Sequence, residues 1–149
     1  IVDSYGAIYP EEMARVCDMF GEFAAKYNKK IGIHAHDNQK LAFANTIECV
    51  GDGVDYLDAT YMSMGRGAGN CAMELLLGFL TNPKYNIYPV IKFIEEYMQP
   101  MKDKGVTWGY DLQYALTGVM NQHPRTAIAF TKEKRKDFTN FYKEITSQE

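Results

Sequence analysis

The sequence has 149 residues, 46% of them hydrophobic and 13% aromatic, with a formal net charge of −3. That content suits one globular unit with a real core, and the mild charge argues against a nucleic-acid footprint. No apolar run approaches the roughly 20 residues needed to span a bilayer, which argues against a membrane role.

The chain opens Ile1-Val2-Asp3-Ser4, with no initiator Met and no secretory signal. An apolar pair running into Asp-Ser reads as the tail of a strand, so we expect a piece of a longer protein. Pro10, Glu11 and Glu12 suit the first turn of a helix. Met13, Val16, Cys17, Phe20, Phe23, Ala24 and Tyr27 continue it at helical spacing. A strand follows from Lys30 to His36, then a helix from about Gln39 to Val50 with Gly51 and Gly53 near its end. The next strand is Val54 to Thr60. A glycine-rich loop, Met64 to Asn70, opens a helix from Cys71 to Leu80.

Strand and helix alternate through residue 81, which predicts an α/β fold with a parallel sheet, open or closed into a barrel. Beyond it the alternation stops. Asn82-Pro83 and Tyr88-Pro89 break the chain, Val90 to Met98 reads as a helix, and Pro100 and Gly105 punctuate the next connection. Segments near 111–121, 123–130 and 134–145 look helical, making 82–149 a helical extension. Its Lys132-to-Lys136 run is interrupted by Glu133 and reads as a solvated helix face. Cys17, Cys49 and Cys71 are odd in number and widely spaced, which fits reduced thiols in a cytoplasmic setting.

Polar residues cluster where the strands end: Asp3 and Ser4, His34 and His36, Asp58 and Thr60. In parallel α/β architectures, ligands sit at those carboxyl ends. Side chains alternate along a strand, so His34 and His36 share one face and can reach a common point. Two imidazoles so placed suit a divalent ion. The alternative is two polar residues where a strand runs into a loop. The glycine loop fits neither the dinucleotide fingerprint nor a P-loop. Its glycines serve turn chemistry, or they let Asn70 approach a ligand held by the histidines.

The ordered motifs His34-Ala35-His36-Asp37-Asn38, Ala44-Asn45, Leu57-Asp58-Ala59 and Gly65-Arg66-Gly67-Ala68-Gly69-Asn70 resemble the metal-dependent aldolase and lyase superfamily called HMGL-like. The opening Asp3-Ser4-Tyr5-Gly6-Ala7 is similar to its sixth-strand segment. The loop, and Trp108-Gly109-Tyr110 with Tyr114, look closest to the 4-hydroxy-2-oxovalerate aldolase branch. Acyl-CoA-condensing synthases of the isopropylmalate type, hydroxymethylglutaryl-CoA lyase and a non-catalytic scaffold are the alternatives.

The resemblance implies a (β/α)8 barrel, of which this chain holds about strands six to eight plus a tail. It implies Mn²⁺ or Mg²⁺ held by His34 and His36, with Asn70 as a further or supporting ligand. The family's third ligand, an Asp beside an Arg on the first strand, has no counterpart here. A retro-aldol cleavage of a 4-hydroxy-2-oxo acid is implied, with a 2-oxo acid and an aldehyde as small-molecule partners. Tyr110, with Tyr114 as runner-up, is the implied proton-transfer group, against simple ring packing for both. Ser4, Asn38, Asp58, Gly67 and Arg66 are candidate substrate contacts, Arg66 alternatively pairing with a surface acid. A homodimer and an aldehyde dehydrogenase partner are further expectations.

Overall fold

A computed structural model describes residues 1–147; the last two positions of the expected extension lie outside the described residues. Its first half alternates β1 (Val2–Asp3), α1 (Pro10–Lys26), β2 (Gly32–Ala35), α2 (Ala42–Gly51), β3 (Tyr56–Leu57) and α3 (Met73–Phe79). The sheet order is β1-β2-β3, and both pairings are parallel. The predicted α/β class and its parallel sheet are what the chain forms.

The register puts Val2 beside His34 and Gly32 beside Tyr56 on one face. Ile33, Ala35 and Leu57 point the other way. That second face meets the apolar stripes of the helices. Met13 and Cys17 from α1, Ala42 and Cys49 from α2, and Cys71 and Leu76 close over Ile33 and Ala35 as one core. The helices therefore lie on one side of the sheet, and His34 faces away from them.

Helix boundaries follow local chemistry. Pro10 opens α1 with Glu11 and Glu12 in the first turn, and Asn28 (φ +50°) ends the segment. Helix α2 begins at Ala42, later than expected. Lys40 is left-handed (φ +62°) and Asp37 Oδ1 accepts the Ala42 N–H at 3.1 Å, so the turn before the helix is fixed by Asp37. Strand β3 is shorter than Val54–Thr60. Asp58 already turns to His34, and the Thr60 N–H bonds the Cys71 carbonyl at 2.9 Å.

The tail is helical: α4 (Tyr88–Phe93), a π-helical turn (Ile94–Met98), α5 (Gln99–Asp103), α6 (Leu112–Val119), α7 (Arg125–Lys132) and α8 (Phe138–Thr146). Pro100 does not break the chain as expected. It lies in a helical run that continues unbroken from α4, and the π turn just before it is where the hydrogen-bond ladder widens to take the proline. A second core joins Tyr114, Ala127, Phe130, Phe141 and Ile145 to Ala68, so the tail is docked on the glycine loop.

Two further expectations are corrected. Cys17 and Cys49 are not separate thiols; they are disulfide-bonded, with Cα atoms 6.1 Å apart, because the buried stripes of α1 and α2 meet. Cys71 is free and buried. The Lys132–Lys136 run is no helix face either, since it spans the α7–α8 junction. There Arg135 forks between Asp137 and Glu144, each at 2.8 Å, with its guanidinium over Phe130. No helix among the described residues is long and apolar enough to cross a membrane.

Candidate metal centre

His34 and His36 stand at the carboxyl end of β2 with ring centroids 5.0 Å apart. Each Nδ1 is engaged. His34 Nδ1 lies 3.0 Å from Asp58 Oδ2, and His36 Nδ1 lies 2.9 Å from the Asp3 carbonyl oxygen. A carbonyl can only accept, so His36 carries its proton on Nδ1, and the Asp58 carboxylate imposes the same tautomer on His34. The lone pair of each ring is left on Nε2, the arrangement that second partners impose on metal-binding histidines.

Asn70 joins them from the glycine loop. Its backbone pairs with His36 in an antiparallel bridge, and the Asp37 N–H bonds the Gly69 carbonyl at 2.8 Å. The Asn70 N–H donates to the Ser63 carbonyl at 3.1 Å, and Nδ2 donates to the Met64 carbonyl at 3.2 Å. Among the described residues its buried Oδ1 has no partner. A buried acceptor left unpaired costs about 1–3 kcal/mol, and a cation would supply the missing partner. The glycines make this approach possible. At Gly65 a Cβ would meet Asn70 Nδ2 at 2.6 Å, and at Gly69 (φ +91°) it would strike the Ser63 carbonyl.

His34, Asp58, Thr60 and Asn70 line one cavity of about 730 Å³ along the free edge of β3, with Leu76 and Leu77 on its apolar wall. Thr60 Oγ1 is likewise buried and unpartnered. Among the described residues no group of three His, Cys, Asp or Glu converges. The groups available to an ion at this place are the two imidazole nitrogens and the Asn70 amide oxygen. They fit a divalent ion that keeps positions open for oxygen ligands.

The loop after β1 is held by residues that sequence reasoning does not assign to the site. Asp3 accepts the Ala7 and Ile8 N–H groups at 3.1 and 3.3 Å, and burial pushes its carboxyl pKa up. Gln39 Nε2 donates to the Gly6 and Ala7 carbonyls, and Asn45 Nδ2 donates to the Ile8 carbonyl at 2.8 Å. Together they fix the carbonyl beneath His36. A signal for this exists in the chain: Asn45 is a fully buried amide on the apolar side of α2.

The remaining candidates separate. Asp58, a candidate substrate contact, holds His34 through one carboxylate oxygen, because the register sets the two side by side. Asn38 is buried and donates to the Tyr114 carbonyl at 3.3 Å, which ties the loop after β2 to α6. Ser4 is exposed beyond β1. Arg66 is exposed and makes no ion pair among the described residues. Gly67 (φ +62°) lies under the Tyr114 ring and lines a second cavity of about 160 Å³ with Trp108, Tyr110, Asp111 and Thr131. Tyr110 is 60% exposed and Tyr114 is 8% exposed. Neither tyrosine lines the cavity that holds His34 and Asn70. His123 accepts the Arg125 N–H at the start of α7.

Comparison with known proteins supplies the context. The chain is 39% identical over 80 residues to oxaloacetate decarboxylase of Mycobacterium tuberculosis, covering 54% of this chain and 23% of that protein. It is 35% identical over 105 residues to 4-hydroxy-2-oxovalerate aldolase of Thermus thermophilus, covering 68% of this chain and 30% of that protein. The chain thus spans less than a third of either relative. The crystal structure of the N-terminal domain of a protein assigned as an aldolase from Bacteroides vulgatus superposes with a TM-score of 0.72. That match has 36% identity and covers 87% of this chain and 43% of the other. The HMGL-like family model matches residues 1–95. These residues carry the histidine pair, the glycine loop and all three strands, and the chain belongs to the HMGL-like family.

Proposed function

We propose that the complete protein is a divalent-metal-dependent carbon–carbon lyase. It cleaves or forms a 4-hydroxy-2-oxo acid, with a 2-oxo acid and an aldehyde on the other side of the equilibrium. The chain contributes about strands six to eight of a (β/α)8 barrel and the helical tail. The observation that carries this reading is the His34–His36 pair, rings 5.0 Å apart with Nδ1 of each engaged, beside Asn70, which is bridged to His36 and whose Oδ1 is buried without a partner among the described residues. Mn²⁺ or Mg²⁺ bound there would act as a Lewis acid on the 2-oxo acid.

The chain's own residues divide the remaining work. Asp58 and the Asp3 carbonyl keep both imidazoles in the ligating tautomer. The glycine loop presents Asn70. By the family resemblance Tyr110 moves a proton to or from the reacting hydroxyl, acting from the neighbouring cavity beside Gly67. Arg66, exposed and in no ion pair among the described residues, receives a substrate carboxylate.

A second reading has its own support in the identity to a relative named oxaloacetate decarboxylase. Both reactions break the C3–C4 bond, leave the electron pair on C3 as the enolate of the 2-oxo group, and release pyruvate or a close relative once C3 is protonated. Pyruvate release by the complete protein, coupled to lactate dehydrogenase, separates them. We expect faster release from 4-hydroxy-2-oxovalerate than from oxaloacetate, abolished by EDTA and restored by Mn²⁺. Faster release from oxaloacetate selects the decarboxylase, and undiminished turnover in EDTA overturns the metal-dependent mechanism.

A further inference from the structure

Met62 (φ +50°) and Ser63 (φ +56°) are consecutive left-handed residues, and neither is glycine. A side chain with a Cβ disfavours that region, and such a turn persists only where its surroundings over-determine it. Here both ends of Met62 are gripped. Its N–H donates to Glu74 Oε2 of α3 at 3.0 Å. Its carbonyl accepts the indole Nε1–H of Trp108, from the tail, at 2.8 Å.

The turn leads straight to Asn70. The next two carbonyls after Met62, those of Ser63 and Met64, receive the Asn70 N–H and Nδ2. Those bonds engage the donors of Asn70 and leave Oδ1 as its free atom. A short series of hydrogen bonds and backbone links thus runs from the Trp108 indole to the Asn70 backbone N–H and Nδ2, the groups that orient its Oδ1. The tail is tied to the same loop a second time, by the Gly109 N–H on the Gly67 carbonyl at 3.3 Å. The Lys102 ammonium sits 4.8 Å from the Trp108 ring centroid and covers the indole from outside.

We propose that Trp108 is a positioning residue for the cation site. Its indole N–H clamps the strained Met62–Ser63 turn, and the turn aims Asn70 Oδ1. The helical tail thereby sets metal affinity without touching the ion. The proposal rests on the reading of Asn70 as a ligand.

A double-mutant cycle in the complete protein tests it, with Mn²⁺ affinity read from the free-ion electron paramagnetic resonance signal. Trp108→Phe keeps an aromatic ring and removes the N–H. It should weaken Mn²⁺ binding roughly tenfold, the low end for loss of a supporting partner. Asn70→Ala should weaken it at least as much. The double variant should bind no more weakly than Asn70→Ala alone, because both changes act through one atom. If Trp108→Phe does not fold, β-(3-benzothienyl)alanine at position 108 keeps the shape without the N–H, and the same result is expected. Wild-type affinity in Trp108→Phe beside a weakened Asn70→Ala overturns the proposal. So does a Trp108→Phe loss of equal size in both backgrounds, which would make the indole packing alone. Wild-type affinity in Asn70→Ala instead overturns the ligand reading, and the proposal falls with it.

Discussion

Asp58 Oδ2 stands 3.0 Å from Nδ1 of His34, across the parallel pairing of β2 with β3. The carboxylate is on the rim, with 65% of its side chain exposed, so its exposed hydrogen bond to His34 adds little stability. Its effect is on the imidazole, which it orients and makes a better ligand. Asp58→Ala should weaken Mn²⁺ binding by about 10- to 100-fold, and Asp58→Asn, which keeps an acceptor oxygen, by less. Calorimetric titration of the complete protein measures both. An Asp58→Ala protein that binds Mn²⁺ normally would leave His34 oriented by something else.

Tyr110 and Tyr114 sit on the same small cavity but differ in kind. The Tyr114 ring is buried against Gly67, whereas Tyr110 is open. A general acid or base typically contributes roughly 10²- to 10⁴-fold. Tyr110→Phe should lower kcat by about that factor and leave the metal bound, while Tyr114→Phe, which keeps the packing ring, should stay near wild type. Steady-state pyruvate release decides it; full activity in Tyr110→Phe removes the proton-transfer role.

Gly67 has no room for a side chain. It is left-handed (φ +62°), and a Cβ would stand 2.6 Å from the Tyr114 ring. Gly67→Ala should cost roughly 2–3 kcal/mol, combining the backbone penalty with the displaced ring. Urea unfolding midpoints measure it. An unchanged midpoint would mean the loop and α6 are not packed as described.

Much of this arrangement is legible in the sequence because its periodicity is strong. The period-two pattern at Ile31 to His36 puts both histidines on one face, and the alternation through residue 81 implies the parallel sheet. The features that escape are non-local or stereochemical. The Cys17–Cys49 bond depends on how two helices meet, which no spacing encodes. The end of β3 depends on Asp58 turning to His34. Pro100 reads as a stop because sequence patterns do not reveal a π turn. The roles of Asn38, Asn45 and Asp3 lie in bonds to carbonyls far along the chain. Asp58 stands out as a site residue, yet its partner is a histidine.

Arg135 holds the Asp137 carboxyl down at about 2, against an ordinary value of 3.8. The unfolded chain therefore takes up the proton first. The contribution of Asp137 to stability is complete above 3.8 and is lost as pH falls from there to about 2. Asp137→Asn should lower the urea midpoint near neutral pH, and the gap to wild type should close across that acid window. A gap that persists at the acid end would show that the charge is not what Asp137 contributes.

The central claim is that His34 and His36, with Asn70 beside them, hold one divalent ion. The most direct measurement is metal analysis of the purified complete protein beside His34→Ala/His36→Ala, both equilibrated with Mn²⁺. The wild type should retain about one equivalent per chain, and the double variant close to none, while its circular dichroism stays native. Equal Mn²⁺ content in the two proteins would contradict the account.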